Sequence, residues 1–242
     1  TAWLRKSISN TRVQAMKNNQ DYKNAALAAL KGNWAPALVA SVTVTFVICL
    51  IIAPTYCANM AAFRQPGFAW VTETLMKVFN WTGPFRYILL LYPLMMVGYQ
   101  VAHNDLLVSG DARVTGNTFR HTFSGYLRNV WAMFLMYMFT FLWALLLFIP
   151  GIIKSLAYAM TPFIIKDYPE LSANQAINLS MKMMKGRKFD LFWLTLSFIG
   201  WMILCILTLG IGLFWFMPYW QTTLAAFYQD VKHDYINNNT NL

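Results

Sequence analysis

Few residues in this chain are of types that do chemistry, and no set of them stands in a catalytic pattern. Lys154 lies within an apolar run, IPGIIKSLAYAMTPFII. A cation at membrane depth is expensive and by default marks a functional position. A lysine near a helix end can instead lay its stem on apolar surface and keep the ammonium in water. Lys154 follows Pro150 by roughly 6 Å of helix, which favours this plainer reading. His103 and Asp105 form a second set. Imidazole beside carboxylate can relay protons, but such residues more often mark the water-facing end of a helix. The third set is the basic block Lys182, Lys185, Arg187 and Lys188, suited to anionic headgroups or to a protein partner. A methionine face at Met181, Met183 and Met184 offers a partner groove or, more simply, membrane contact.

The familiar chemical signatures are missing. Neither Gly186-Arg-Lys nor the stretch from Gly110 to Gly116 has the form of a phosphate loop, and no HExxH, GxSxG or Cys/His ligand cluster occurs. His103, His121 and His233 are scattered. The three cysteines, Cys49, Cys57 and Cys205, form no CxxC, and their odd number opposes a disulfide framework. No catalytic, cofactor-binding or metal-ligating residue is expected, so the reading leans away from an enzyme.

What must position these residues is a membrane. The chain is 58% hydrophobic and only 12% charged, against roughly 25% charged in soluble domains. Its mean hydropathy is +0.43. Several apolar runs approach the ~20 residues that cross a bilayer as helix. Helices satisfy their own backbone groups in lipid, and the alternating ten-residue segments of a barrel are lacking. The expected fold is all-α: a polytopic bundle of six transmembrane helices with an amphipathic interfacial helix on the cytoplasmic side.

The expected parts follow in order. Residues 1–34 form a basic, interfacial N-terminal segment, within which DYKNAALAALKGNW reads as a short helix. Asp21 is its expected N-cap, Gly32 its stop and Trp34 an interfacial anchor. No cleavable leader is expected, because the first long apolar run starts only near Ala35. Spans are expected over 35–58, 85–108, 130–149, 151–166, 189–209 and 211–228 within a membrane domain of 35–228. Pro54, Pro93, Pro162 and Pro218 should interrupt four of them, and Gly98 should weaken the second. AWVTETLMKVFNW, between the first two spans, reads as a far-side interfacial helix. Pro150-Gly151 reads as a tight reversal. Small residues at Ser155 and Ala159, and at Ala157 and Thr161, would let the fourth span pack closely inside the bundle. Ser172-Ala-Asn-Gln175 is a capping box opening an amphipathic helix over 172–186, with Lys182 and Lys185 at its dipole-favoured C-terminus and Gly186 as a left-handed stop. This helix lies on the membrane or packs beneath the bundle. The polar, Asn-rich tail 229–242 should end in disorder.

Charge sets the orientation. The net charge is +10, which in a soluble protein would suggest nucleic acid. Here 15 of the 19 Lys and Arg fall in the N-terminal segment, 109–129, 166–190 and the tail. By the positive-inside rule these are cytoplasmic, and no nucleic-acid partner is expected. Six spans with both termini inside satisfy the rule; five, with 151–166 re-entrant, is the competing count.

LKGNW at 30–34, PGIIKSLAYAMTPFII at 150–165, LSANQAINLSMKMMKGRK at 171–188 and the long run 196–230 resemble the bacterial integral membrane family called domain of unknown function 975. The pattern from Ala176 to Gly186 is also similar to the membrane domain of some glycerophosphodiester phosphodiesterases. The resemblance implies a six-helix inner-membrane protein and supplies no catalytic residue. The functional expectation is a non-enzymatic accessory subunit or lipid-interacting scaffold, with anionic lipid headgroups and a protein partner or second copy as its contacts. A small transporter or permease-like subunit is the rival, since broken helices line binding sites in transporters. A membrane-embedded lipid-processing enzyme comes third.

Overall fold

The computed structural model describes residues 18–47, 85–146, 148–208 and 210–240. Among these every regular element is an α-helix. The first halves of residues 1–34, the linker 59–83, Cys49, Pro54 and Cys57 lie outside the described residues.

Helix α1 (Asn19–Leu30) opens on a capping interaction: the Asn18 amide donates to the Asp21 carboxylate at 3.1 Å. Asp21 therefore serves the third helical position, and Asn18 is the cap. Tyr22, Ala26 and Leu30 recur at helical spacing and are all buried. Gly32 reverses the chain at φ +84°, leading into the apolar helix α2 (Trp34–Val47).

Helix α3 (Phe85–Ser109) runs through Pro93 and Gly98 without interruption. Gly98 is where α4 (Val114–Phe123) lies against α3: a Cβ there would stand 2.1 Å from Thr122 Oγ1 and 2.3 Å from the Thr118 carbonyl. The segment 109–129, which the sequence places between two spans, thus holds a packed helix. Helix α5 (Tyr126–Leu146) starts earlier than its apolar run. Pro150 and Gly151 fall in the first turn of α6 (Phe148–Tyr158) and make no reversal; proline is tolerated there because that amide needs no intrahelical acceptor. The fourth expected span is broken. Ala159 and Met160 form a turn, and α7 (Thr161–Asp167) restarts with Pro162 in its first turn. Ala157 and Thr161 are buried, while Ser155 is exposed.

Helix α8 (Ala173–Met183) has the capping box read from sequence: the Ser172 amide donates to Gln175 Oε1 at 2.8 Å, and the Gln175 amide to Ser172 Oγ at 3.4 Å. Its apolar side, Ala173, Ala176, Ile177 and Met183, is buried within the protein. The helix packs on α5, α6 and α7, and Ser180 Oγ donates to the Ala157 carboxyl-side carbonyl oxygen at 2.8 Å. Gly186 ends this region at φ +88°.

Lys188–Leu207 is the one stretch among the described residues long and apolar enough to cross a membrane, with a mean hydropathy of 2.0. A turn at Ser197 and Phe198 divides it into α9 (Lys188–Leu196) and α10 (Ile199–Leu207). Gly210 then turns the chain at φ +89°. Helix α11 (Leu213–Thr240) continues past Pro218 and far beyond residue 228. Phe227, Tyr228 and Val231 are fully buried. The polar tail is therefore largely a packed helix, held against α1 and α3. Its hydrophilic sequence hid this, because its buried side chains are polar and paired inside the fold.

Candidate functional site

Two polar assemblies stand out, one at the α8–α9 corner against α1 and the second half of α11, the other among α3, α4, α5 and α7. The first centres on Arg187. Helix α8 ends at Met184, the Gly186 turn follows, and α9 begins at Lys188, so Arg187 projects from a fixed corner. Its Nε donates to Asp190 at 2.7 Å, and Nη2 donates to Asp230 at 2.6 Å and to the Tyr22 hydroxyl oxygen at 2.9 Å. Nη1 pairs with Asp234. Tyr22 in turn donates to Asp230 at 2.8 Å. The planar fork suits such convergence. Burial and the hydrogen bond to Asp230 push the Tyr22 phenol well above its ordinary range. For Arg187, burial alone would lower its basicity, but the carboxylates outweigh that and raise it. Nearby, Asp167 accepts from Tyr228 at 2.7 Å and from Lys232 at 2.5 Å.

The second assembly is a cleft of about 280 Å³ between the end of α3, α4, the start of α5 and α7. Its polar lining is His121, Ser124, Arg128, Asn129 and Lys166, over an apolar floor that includes Val97 and Val101. His121 Nε2 lies 2.6 Å from the Asp105 carboxylate. Asn129 donates its amide to the Ser124 carbonyl at 2.9 Å. Arg128 is held by backbone: Nη2 donates to the Ile165 carbonyl at 2.8 Å and Nη1 to that of Pro169. Three buried atoms of these residues have no hydrogen-bond partner among the described residues: His121 Nδ1, Arg128 Nε and Asn129 Oδ1. Buried polar atoms are rarely left unpaired.

The residues singled out from sequence are dispersed. His103 is fully buried, its Nδ1 2.8 Å from the Tyr99 carbonyl and its ring edge-on to Tyr99. It does not meet Asp105, which faces His121. Lys154 stands over the half-exposed Trp143 ring at 4.8 Å from the centroid, away from the cleft. Lys182 and Lys185 are exposed. Arg187 departs from its expected surface role: three carboxylates draw it inward. Nothing in the spacing of His121, Arg128 and Asn129 marks them in the sequence as a set.

No curated protein and no solved structure matches this chain. Residues 130–234 match the model of the family described as "Protein of unknown function (DUF975)", which supports the resemblance read from the sequence.

Proposed function

We propose that this is a multi-pass protein of the bacterial inner membrane, with both termini cytoplasmic, acting without catalysis as an accessory subunit or lipid-interacting scaffold. One observation carries the reading: an extensive apolar surface left uncovered by the fold. Helix α5 exposes Leu127, Trp131, Phe134, Phe141 and Leu142, and α9 and α10 expose Phe189, Trp193, Trp201, Ile206 and Leu207. The last two are each 75% exposed. Patches on soluble monomers are usually far smaller. Hydrocarbon is the medium that such a surface fits. Lys154 over Trp143 suits an interfacial aromatic-cation pair. The polar end then lies in the cytoplasm, where the basic segments belong, and exposed Lys182 and Lys185 meet anionic headgroups there.

Reporter fusions at Asp111, Gly186 and Leu242 test the topology; all three should report cytoplasm, and a periplasmic signal at Leu242 alone would remove one span. The double variant Lys182→Glu/Lys185→Glu tests the scaffold role in reconstituted membranes. It should weaken association with anionic lipid, more at low salt than at high salt. Release of a protein partner with lipid binding unchanged would favour the accessory-subunit form. If neither responds, the lysines are a topology signal alone.

A further inference from the structure

We propose that the cleft between α4, α5 and α7 binds a phosphate monoester group. The donor set favours an oxyanion. Arg128 is fixed by two backbone carbonyls that neutralise none of its charge, and its buried Nε–H meets no acceptor among the described residues. Lys166 lines the same cleft, and neither cation has a carboxylate within ion-pair distance among the described residues. Ser124 adds a hydroxyl to the lining.

The acceptor set narrows the ligand. His121 is 3% exposed and pairs through Nε2 with the Asp105 carboxylate, while its buried Nδ1 meets no partner among the described residues. Asn129 is likewise 3% exposed. Its amide nitrogen is committed to the Ser124 carbonyl, which leaves Oδ1 as an acceptor. A fully ionised sulfate or carboxylate cannot donate to such atoms. A phosphate monoester can enter as its monoanion, which carries a P–OH beside its anionic oxygens; with a second pKa of about 6 this is the minor form at pH 7 and grows as pH falls, so binding should strengthen toward pH 6. The monoanion can accept from Arg128, Lys166 and Ser124 while donating to Asn129 Oδ1. The volume, about 280 Å³, is small for a ligand pocket and ample for a phosphate head. The ligand is either a soluble phosphate or the head of a phosphatidic-acid-like lipid; the lipid source alone rests on the membrane reading above.

The test uses the full chain, in detergent and in nanodiscs. Calorimetric titration with inorganic phosphate should show binding that Lys166→Gln weakens by at least about tenfold, the effect of losing one charge-assisted hydrogen bond. Arg128→Lys keeps the charge but loses the Nε–H, and should also weaken binding; its thermal unfolding is followed as a control because Arg128 braces two carbonyls. Lys154→Gln and Lys182→Glu/Lys185→Glu, which alter cations elsewhere, should leave binding unchanged. Native mass spectrometry from nanodiscs containing phosphatidic acid and phosphatidylcholine separates the sources. Retention of one phosphatidic acid that Lys166→Gln abolishes identifies the lipid head. Phosphate binding without lipid retention identifies the soluble form. Failure of the wild type to bind either probe, or equal loss in Lys166→Gln and Lys154→Gln, overturns the assignment. The topology fusions are independent of that outcome.

Discussion

Helix α11 passes through two environments. At its start Leu213 and Trp215 are 43% and 50% exposed, beside the uncovered faces of α9 and α10. Two turns on, Gln221, Thr222 and Thr223 are buried, followed by Asp230 and Lys232. The apolar end is thus the open one, and the polar end is closed. In water this would be inverted, because burial of polar groups needs partners and exposure of apolar ones is unfavourable. The polar end supplies its own partners, through Arg187, Asp167 and the backbone. The apolar end finds no such partners among the described residues. The first region is held by specific geometry and the second by composition, so they should respond to substitution very differently.

The largest effect should come from Arg187→Ala. It removes the Arg187 guanidinium from Asp230, which is 1% exposed, and removal of one partner of a buried pair costs about 3–5 kcal/mol. Thermal unfolding in detergent should fall steeply, and Arg187→Lys should recover little, since one ammonium cannot reproduce the fork. A variant that unfolds with the wild type would mean that solvent, not Arg187, satisfies Asp230. Next comes Gly98→Ala. Its Cβ would collide with the Thr118 carbonyl and Thr122 on α4, and overpacking typically costs about 1–3 kcal/mol. Unchanged unfolding would show that α4 is free to move from α3.

Alkaline pH sharpens the contrast further. Burial lifts the Tyr22 phenol well above 10.0, and burial with the nearby Asp167 and Glu170 carboxylates pushes Tyr168 up to about 12. A raised folded-state pKa means the folded protein holds the proton longer than the unfolded chain. The associated stability is fully present below pH 10.0, the ordinary phenol value, and is lost as pH rises through the folded values. Melting temperature should therefore decline from about pH 10 upward, and Tyr168→Phe should flatten that decline. A slope identical in the variant would remove Tyr168 as a contributor.

The division also explains what could be read from sequence. Local grammar was legible: the Ser172–Gln175 box, the left-handed Gly186, the start of α3 and the all-helical architecture. These depend on neighbours within a turn. Prolines misled, because Pro93 and Pro218 sit inside continuous helices and Pro150 in a first turn, where surrounding packing decides the outcome. The polar assemblies were illegible. Arg187 meets Asp230 across 43 residues and Tyr22 across 165. His121 meets Asp105 across 16, through the α3–α4 turn. No periodicity encodes such pairs. Helix α4 was missed because VTGNTFRHTF buries Asn117, Thr118, His121 and Thr122, residues that read as loop.

The smallest effect on the fold is expected at Ile206, and it is the most informative about the apolar end. Its side chain is 75% exposed, so it contributes little to internal packing. Ile206→Asp should therefore shift unfolding in detergent by no more than about 0.5 kcal/mol, as surface substitutions do. In a membrane the same change should be felt more, though by less than the roughly 2.5–3.5 kcal/mol that Asp costs at the centre of a spanning helix, since Ile206 lies near the end of Lys188–Leu207. Recovery of correctly inserted protein should fall while the detergent-solubilised fraction melts normally. Phe227→Ala, at the buried end of α11, should show the reverse, with normal insertion and an early melt. If Ile206→Asp instead destabilises the solubilised protein, its face is covered by protein, and a second copy becomes the occupant of the apolar surface in place of lipid.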